Sequence, residues 1–196
     1  MYPDQILDPG LQPMATPKWR GNLPHLYKEG CTYFVTFGLF DAVPNRLQRR
    51  RRAFADGDPK TLARKSDPCP ATGSCLLRAS KVASVVENAL LHFQGERYAL
   101  SAWCVMPNHV HVVVTPFPGF TVSKVLHSWK SYSAHEINKM LGRSGRVWEM
   151  ESFDHLVRNE RGFERFVMYT EDNPVEAGLC ISPELWPFSS ARWREM

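Results

Sequence analysis

The chain has 196 residues, of which 43% are hydrophobic and 12% aromatic. This length and composition fit one globular domain with a sizeable core and exclude a disordered chain. The net charge of +4 is compatible with a polyanionic partner. No apolar run approaches the ~18 residues that span a membrane, so no membrane partner is expected. Five cysteines at irregular spacing include no CxxC pair, which favours free thiols in a cytoplasmic protein over a structural zinc site.

The domain organisation is predicted from shifts in composition. Residues 1–18 are rich in proline and acid and are expected to form an irregular N-terminal arm. Residues 19–190 are expected to form a single domain, and residues 191–196 a C-terminal tail. A basic, mobile insertion is predicted at about 46–77, because Gly, Pro, Asp and Ser occur there with little periodicity.

Seven elements are predicted in chain order from hydrophobic periodicity and β-branched content. They are strand 31–39, helix 79–93, strands 97–105 and 109–115, helix 122–141, strand 153–157 and helix 160–172. Thr121 is a suitable N-cap for the long helix. An Asn-Pro pair at 173–174 should kink or restart the last helix, and Gly178 should end its second part. The order β-α-β-β-α-β-α predicts a layered α+β domain with a mostly antiparallel sheet.

Two histidines begin the strand at 109–115. Positions i and i+2 of a strand face the same way, so His109 and His111 should leave one face together, with Val110 and Val112 on the other. Two neighbouring imidazoles on a stiff strand make half of a site for a divalent metal. The alternative is two polar residues on a solvated strand face.

Tyr169 and Asn173 lie four residues apart on the last helix and so share a face. Each has a structural alternative: Tyr169 can pack with its hydroxyl exposed, and Asn173 before Pro174 can cap a new helix. Combined with the two histidines, they indicate a different possibility. A metal held by two imidazoles and an amide oxygen can polarise a phosphate, which a tyrosine nearby can attack. Such attack conserves the bond energy in a phosphotyrosine for rejoining, which is transfer chemistry.

Ordered motifs along the chain give this possibility a family context. The segment Met-Pro-Asn-His-Val-His-Val-Val at 106–113 is followed by Tyr-Thr-Glu-Asp-Asn-Pro-Val-Glu-Ala-Gly-Leu at 169–179. Further matching pieces are Leu-Pro-His at 23–25, Tyr-Phe-Val-Thr-Phe at 33–37, Lys-Ser at 130–131, Trp148 with Glu-Ser-Phe-Asp at 151–154, and Trp-Pro-Phe-Ser-Ser at 186–190. Over roughly residues 19–190 the chain resembles the single-tyrosine (Y1) transposases of the HUH class, which include the IS200-like enzymes. Within that class it is most similar to the REP-associated tyrosine transposases.

The resemblance implies a role for each matching residue. His109 and His111 correspond to the metal-binding histidines, and Asn173 to the third, helix-borne ligand of Mg²⁺ or Mn²⁺. Tyr169 corresponds to the nucleophile that takes a 5′-phosphate and releases a 3′-hydroxyl. The implied fold is ferredoxin-like, with helices packed on an antiparallel sheet as in the HUH endonucleases. The implied partner is single-stranded DNA of palindromic repeats folded as hairpins; the wider class acts as dimers, and a monomer is the other possibility.

Basic residues add candidate DNA contacts. Arg49, Arg50, Arg51 and Arg52 form a run within the insertion, and Lys124 and Lys130 lie on the long helix. Phosphate contact and simple solvation both fit these cations. His155, by contrast, has no partner at ligand spacing and is expected to be a structural or surface residue.

Three functions remain to be distinguished. The first is metal-dependent cleavage and strand transfer on hairpin-forming single-stranded DNA through Tyr169. The second is a domesticated protein that binds hairpin DNA or RNA without cutting it. The third is a zinc hydrolase built on the two histidines, which is disfavoured because no acidic residue at a motif spacing supplies its general base.

Overall fold

The computed structural model describes residues 16–20, 23–41 and 74–194. Its strands and helices closely follow the periodicity of the sequence. In chain order they are β1 (Thr16–Arg20), β2 (Leu23–Tyr27), β3 (Tyr33–Gly38), α1 (Ser80–Leu91), β4 (Tyr98–Val105), β5 (His109–Pro116), α2 (Val122–Met140), β6 (Phe153–Leu156) and α3 (Glu160–Glu176).

Four of the strands form one antiparallel sheet in the order β4-β5-β3-β6. From β3 onward the chain runs β-α-β-β-α-β, so the two strands central to the sheet are the first and third of that unit. This is the strand order of a ferredoxin-like fold. The predicted α+β class with helices packed on an antiparallel sheet is therefore confirmed.

The pleat of the sheet divides its side chains between two cores. Val35, Val110 and Val112 belong to the larger core, which the sheet shares with α1 and α2. Phe34 and Val113 belong to a smaller core on the opposite face, where α3 contributes Phe166 and Val167. Because α3 is the helix on this face, it covers the side of β5 from which His109 and His111 project.

The long helix α2 begins as the sequence predicts. The hydroxyl oxygen of Thr121 accepts a hydrogen bond from the backbone N–H of Lys124 at 3.2 Å, which satisfies one of the unpaired donors of the first turn. Trp129 on this helix and Trp148 after it are both buried in the larger core, so neither offers a face on which a base can stack.

Helix α3 differs from its prediction at Pro174. The expected restart, with Asn173 as a new N-cap, is wrong, because the helix is continuous from Glu160 to Glu176. A proline in the last turn removes only one intrahelical hydrogen bond, and burial of Asn173 and Pro174 holds the turn in place. Gly178 then ends the helix at φ 68°: its N–H bonds to the carbonyl of Val175, and that of Leu179 bonds to Pro174, a Schellman motif.

The N-terminal region also departs from its prediction. Strands β1 and β2 pair as an antiparallel ladder, so residues 16–18 of the expected irregular arm belong to a strand. Prolines at 17 and 24 concealed this ladder, since proline is tolerated only where a strand donates no hydrogen bond. The arginine run at 49–52 and most of the predicted insertion lie outside the described residues.

The C-terminal segment lies along the end of β4. The N–H of Val105 donates to the carbonyl of Phe188 at 2.8 Å, and the indole N–H of Trp186 donates to the carbonyl of Val105 at 3.0 Å. Ala191 is buried, and Ser190–Trp193 forms a 3₁₀ turn. The expected tail from residue 191 is therefore packed on the domain up to residue 194.

Two further findings concern the cysteines and the possibility of a membrane-spanning helix. Cys75 is disulfide-bonded, so the expectation of free thiols is wrong there, whereas Cys31, Cys104 and Cys180 are free. Among the helices of the described residues, none combines the length and the apolar character needed to cross a bilayer.

Candidate active site on the histidine strand

The two histidines of β5 meet at the start of the strand. Their Nε2 atoms are 2.9 Å apart, and their rings are nearly perpendicular with centroids 4.6 Å apart. His111 is 0% exposed and His109 is half-buried. The alternative of two residues on a solvated strand face is therefore wrong for His111, which lies beneath α3.

The opposite ring nitrogen of each histidine also has a partner. Nδ1 of His109 lies 2.6 Å from Oδ1 of Asn108, and because an amide oxygen can only accept, Nδ1 carries the proton. Nε2 of His109 is then the nitrogen with a free electron pair in the neutral ring. Nδ1 of His111 lies 2.8 Å from the hydroxyl oxygen of Thr36, which can accept or donate. Both imidazoles can therefore present Nε2 to a cation while Nδ1–H is held from behind.

The spacing of the pair fits ligation of one cation. Two ligands at right angles, each about 2.1 Å from an ion, are about 3 Å apart in octahedral geometry. When both rings are neutral and no cation is bound, the short distance between the two Nε2 atoms is explained by a hydrogen bond from Nε2–H of His111 to Nε2 of His109. With a cation held by both Nε2 atoms, the hydroxyl of Thr36 would accept from Nδ1–H of His111. The donor set of two imidazoles therefore fits a divalent ion.

Asn173 supplies an independent observation in favour of a cation. Its side chain is buried, and its amide nitrogen donates to the carbonyl oxygen of Tyr169 at 3.3 Å. Because that carbonyl can only accept, the amide must turn its nitrogen toward it. Oδ1 of Asn173 is left without a hydrogen-bond partner among the described residues, a costly state for a buried acceptor.

The described part of the chain contains no cluster of three or more His, Cys, Asp or Glu side chains that could hold a metal. Among the described residues, a third protein donor to the histidine pair would therefore be a residue of another type, and Asn173 with its unpaired Oδ1 is a candidate.

Helix α3 brings Tyr169 against the histidine strand. The ring of Tyr169 is half-buried and lies edge-on to His111, with centroids 5.4 Å apart, and edge-on to Phe34 at 5.7 Å. Phe34 in turn stacks on His111 at 5.6 Å and on Phe166 at 4.7 Å. The Phe34 ring thereby fixes the distance between the helix that carries the tyrosine and the strand that carries the histidines.

An N-cap orders the start of α3, and side-chain contacts attach its end to the C-terminal segment. At its start, Oδ1 of Asn159 accepts from the N–H of Gly162 at 2.8 Å. Near its end, the buried carboxylate of Glu171 accepts from the hydroxyl of Ser190 at 2.7 Å and from Arg194 at 3.0 Å. Burial raises the pKa of Glu171, while Ser190 and Arg194 act in the opposite direction. Tyr169 and Asn173 therefore lie on either side of a residue anchored to the C-terminal segment.

The residues that sequence reasoning missed are Phe34, Thr36 and Asn108. Phe34 and Thr36 alternate on β3 with residues of the larger core, so the sequence placed them on the other face of that strand. Their contacts with His111 depend on the β3–β5 register, which pairs Thr36 with His111 and is not visible in the sequence. Asn108 directly precedes His109, and its proximity to the histidines could have identified it.

The two lysines predicted as DNA contacts differ in their surroundings. Lys124 is exposed on α2. Lys130 is half-buried and donates to the carbonyl oxygens of Glu149 and Met150, and burial lowers its pKa to about 8 against the opposing effect of Glu149. Lys130 therefore differs from the surface cation that the helical pattern predicted. The run at 49–52 is not among the described residues.

An antiparallel sheet with adjacent histidines on one strand, covered by a helix that carries a tyrosine, is the arrangement that the resemblance to the IS200-like transposases implied. The family model described as "Transposase IS200 like" matches residues 79–155, a range that contains both histidines and ends before Tyr169 and Asn173. The resemblance that the motifs indicated is thereby confirmed.

Individual relatives agree with this class. The chain is 26% identical over 110 residues to a REP-associated tyrosine transposase of Escherichia coli (strain K12), a match that covers 54% of this chain and 62% of the relative. It thus spans less than two thirds of that curated relative. The fold is similar to that of a solved REP-associated tyrosine transposase bound to a REP hairpin, with a TM-score of 0.59 and 20% identity over 91% of this chain and 84% of the other.

Proposed function

We propose that this chain is a transposase that cleaves and rejoins single-stranded, hairpin-forming DNA through a covalent 5′-phosphotyrosine. The observation that carries the proposal is the packing of Tyr169 against His111, whose Nε2 atom lies 2.9 Å from that of His109. A phenol side chain packed against a pair of imidazoles that could hold a metal fits phosphoryl transfer through a tyrosine nucleophile.

In the proposed reaction, the Tyr169 oxygen attacks the phosphorus of a phosphodiester. The bond from phosphorus to the 3′-oxygen breaks, the phenol proton passes to water, and the leaving oxygen takes up a proton to become a 3′-hydroxyl. The reverse attack by a 3′-hydroxyl rejoins a strand and releases Tyr169. Each step exchanges one phosphoester for another, so no external energy source is needed.

His109, His111 and Asn173 would hold Mg²⁺ or Mn²⁺, which would supply Lewis-acid polarisation of the phosphate. Asn108 and Thr36 orient the two imidazoles through their Nδ1 atoms, at 2.6 Å and 2.8 Å. Phe34 keeps the tyrosine ring beside His111. These contacts limit the reorganisation needed when substrate binds.

Hairpin DNA as substrate is proposed by similarity. The solved relative is described as bound to a REP hairpin, and the Escherichia coli relative as a REP-associated tyrosine transposase. The net charge of +4 on this chain is compatible with such a partner.

The test is a denaturing gel of the full chain mixed with hairpin DNA that carries an unpaired flank. The DNA is labelled at its 3′ end, because a 5′-phosphotyrosine joins the protein to the fragment on the 3′ side of the break. Label that migrates with the protein in Mg²⁺ or Mn²⁺, and not in EDTA, is the expected result. A shift in a native gel without the covalent band would instead support the alternative of a hairpin-binding protein that does not cleave.

A further inference from the structure

Two exposed arginines lie near the start of the tyrosine helix. Arg158 lies two residues after the end of β6, and Arg165 lies on α3 four residues before Tyr169. Residues four apart share a helix face and are separated by about one turn, or about 6 Å along the axis. Arg165 therefore lies on the same face of α3 as Tyr169, one turn nearer to the start of the helix.

His155 lies between these arginines and the core. It pairs in register with Phe34 across β6 and β3, and its ring centroid is 5.3 Å from that of Phe166. The guanidinium carbon of Arg165 is 5.2 Å from the centroid of the same Phe166 ring. His155 and Arg165, which belong to different elements, are thus brought together on one aromatic side chain.

The charges around His155 are positive. Burial lowers the pKa of His155, and the guanidinium groups of Arg158 and Arg165 lower it further. Within the described residues, neither arginine forms a salt bridge to a carboxylate. In that part of the chain no carboxylate pairs with the two guanidinium groups that act on this half-buried imidazole, and arginine binds phosphate oxygens in bidentate geometry.

We propose that Arg158 and Arg165 form a phosphate subsite that holds the bound DNA strand beside Tyr169. The ligand is a phosphodiester of the unpaired part of the substrate, one turn of α3 away from the attacking hydroxyl. This inference rests on the proposed function for the source of the phosphate. The chemistry of the subsite alone would also admit free inorganic phosphate or a phosphate of the duplex stem, so the experiment separates the three.

His155 provides a reporter that does not depend on cleavage. The C2 proton of His155 is followed by NMR across pH in the Tyr169→Phe variant with EDTA, and assigned with a His155→Gln variant. An oligothymidylate strand is expected to raise the pKa of His155, because a phosphate neutralises the two guanidinium charges. A blunt-ended hairpin at the same phosphate concentration is expected to leave it unchanged. If inorganic phosphate raises the pKa of His155 and neither DNA does, the proposal that the subsite holds the DNA strand is overturned.

Matched variants connect the reporter to affinity. Arg158→Gln and Arg165→Gln should each reduce the log–log salt slope for oligothymidylate binding by about 0.7, the value for one phosphate contact on a single strand. Lys139→Gln, which removes an exposed charge from α2 on the opposite face of the sheet, should leave the slope unchanged. Each arginine variant should also weaken the response of His155 to the strand.

The outcomes separate this inference from the proposed function. If both arginine variants keep the wild-type slope while the wild type forms a covalent adduct, the subsite is overturned and the cleavage proposal stands. If His155 responds to the strand and the slope falls in a protein that never forms an adduct, the subsite stands and the cleavage proposal is overturned. A wild-type protein that binds no strand overturns both.

Discussion

The ring and the hydroxyl of Tyr169 have separable roles. The ring contacts Phe34 and His111 edge-on and contributes to the packing of α3 on the sheet. The hydroxyl is the only group of the Tyr169 side chain that could form a phosphoester. Removing the oxygen alone therefore tests chemistry without disturbing the packing.

The Tyr169→Phe variant should fold and bind hairpin DNA as the wild type does, because both ring contacts remain. Covalent attachment should fall below detection in the denaturing gel, since phenylalanine has no nucleophilic oxygen. The midpoint of urea unfolding should move little, as a single half-buried hydroxyl is lost. An adduct that still forms and survives denaturation would show that another residue attacks.

The metal ligands are tested at His109. His109→Ala should abolish cleavage and weaken Mn²⁺ binding, because it deletes one of the two imidazole donors. Asn173→Ala should have a milder effect, since a neutral amide oxygen is a weaker donor that water can replace. Binding is measured by Mn²⁺ titration with electron paramagnetic resonance, and cleavage by the gel.

The matched control is His127→Ala, which removes an exposed histidine from α2. It should leave Mn²⁺ affinity and cleavage unchanged. Full cleavage by His109→Ala, or undiminished wild-type activity in EDTA, would contradict the assignment of a metal to this pair.

At the scale of elements, Lys130 links α2 to the segment before β6. Its ammonium donates to the carbonyl oxygens of Glu149 and Met150, and burial lowers its pKa from 10.5 to about 8. Between about 8 and 10.5, the unfolded chain binds this proton and the folded chain does not. The contribution of Lys130 to the free energy of unfolding therefore increases as pH rises through this window.

Lys130→Met removes this titration. The unfolding free energy of the wild type, relative to that of the variant, should therefore increase when the pH is raised from about 7.5 to about 10. The shift should be roughly 1–3 kcal/mol, measured by urea unfolding at both pH values. Lys124→Met, an exposed position on the same helix, should show no such shift. A difference for Lys130→Met that stays constant with pH would show that the folded ammonium keeps its proton.

Elements were predictable where local chemistry decides them. The alternation at 109–115 gave β5, and Thr121 gave the start of α2, because pleat and N-cap act within a few residues. Pro174 misled the prediction because burial of the last turn of α3 outweighs one missing hydrogen bond. The contact between Thr36 and His111 needed the register of two strands far apart in sequence, and local patterns do not contain it.

At the scale of the whole molecule, DNA affinity should depend on salt. Each real phosphate contact changes the log–log slope for single-stranded DNA by about 0.7, so replacing Arg49, Arg50, Arg51 and Arg52 with Ala should flatten the slope by up to about 2.8. Cleavage of saturated complex should stay nearly constant, because the run lies far in sequence from the histidine strand and the tyrosine helix. A hairpin titration over a salt series compares the two proteins. An unchanged slope would indicate a solvated run.

The C-terminal segment has a consequence for association between copies. Sheets whose edge strands expose backbone N–H and C=O groups can join edge to edge. Here the N–H groups of Trp103 and Val105 already donate to Ser190 and Phe188. The end of β4 therefore offers no open ladder to a strand from another copy. Residues 188–190 cover the end of that edge, and Ser190 and Arg194 also hold the tyrosine helix by their contacts with Glu171.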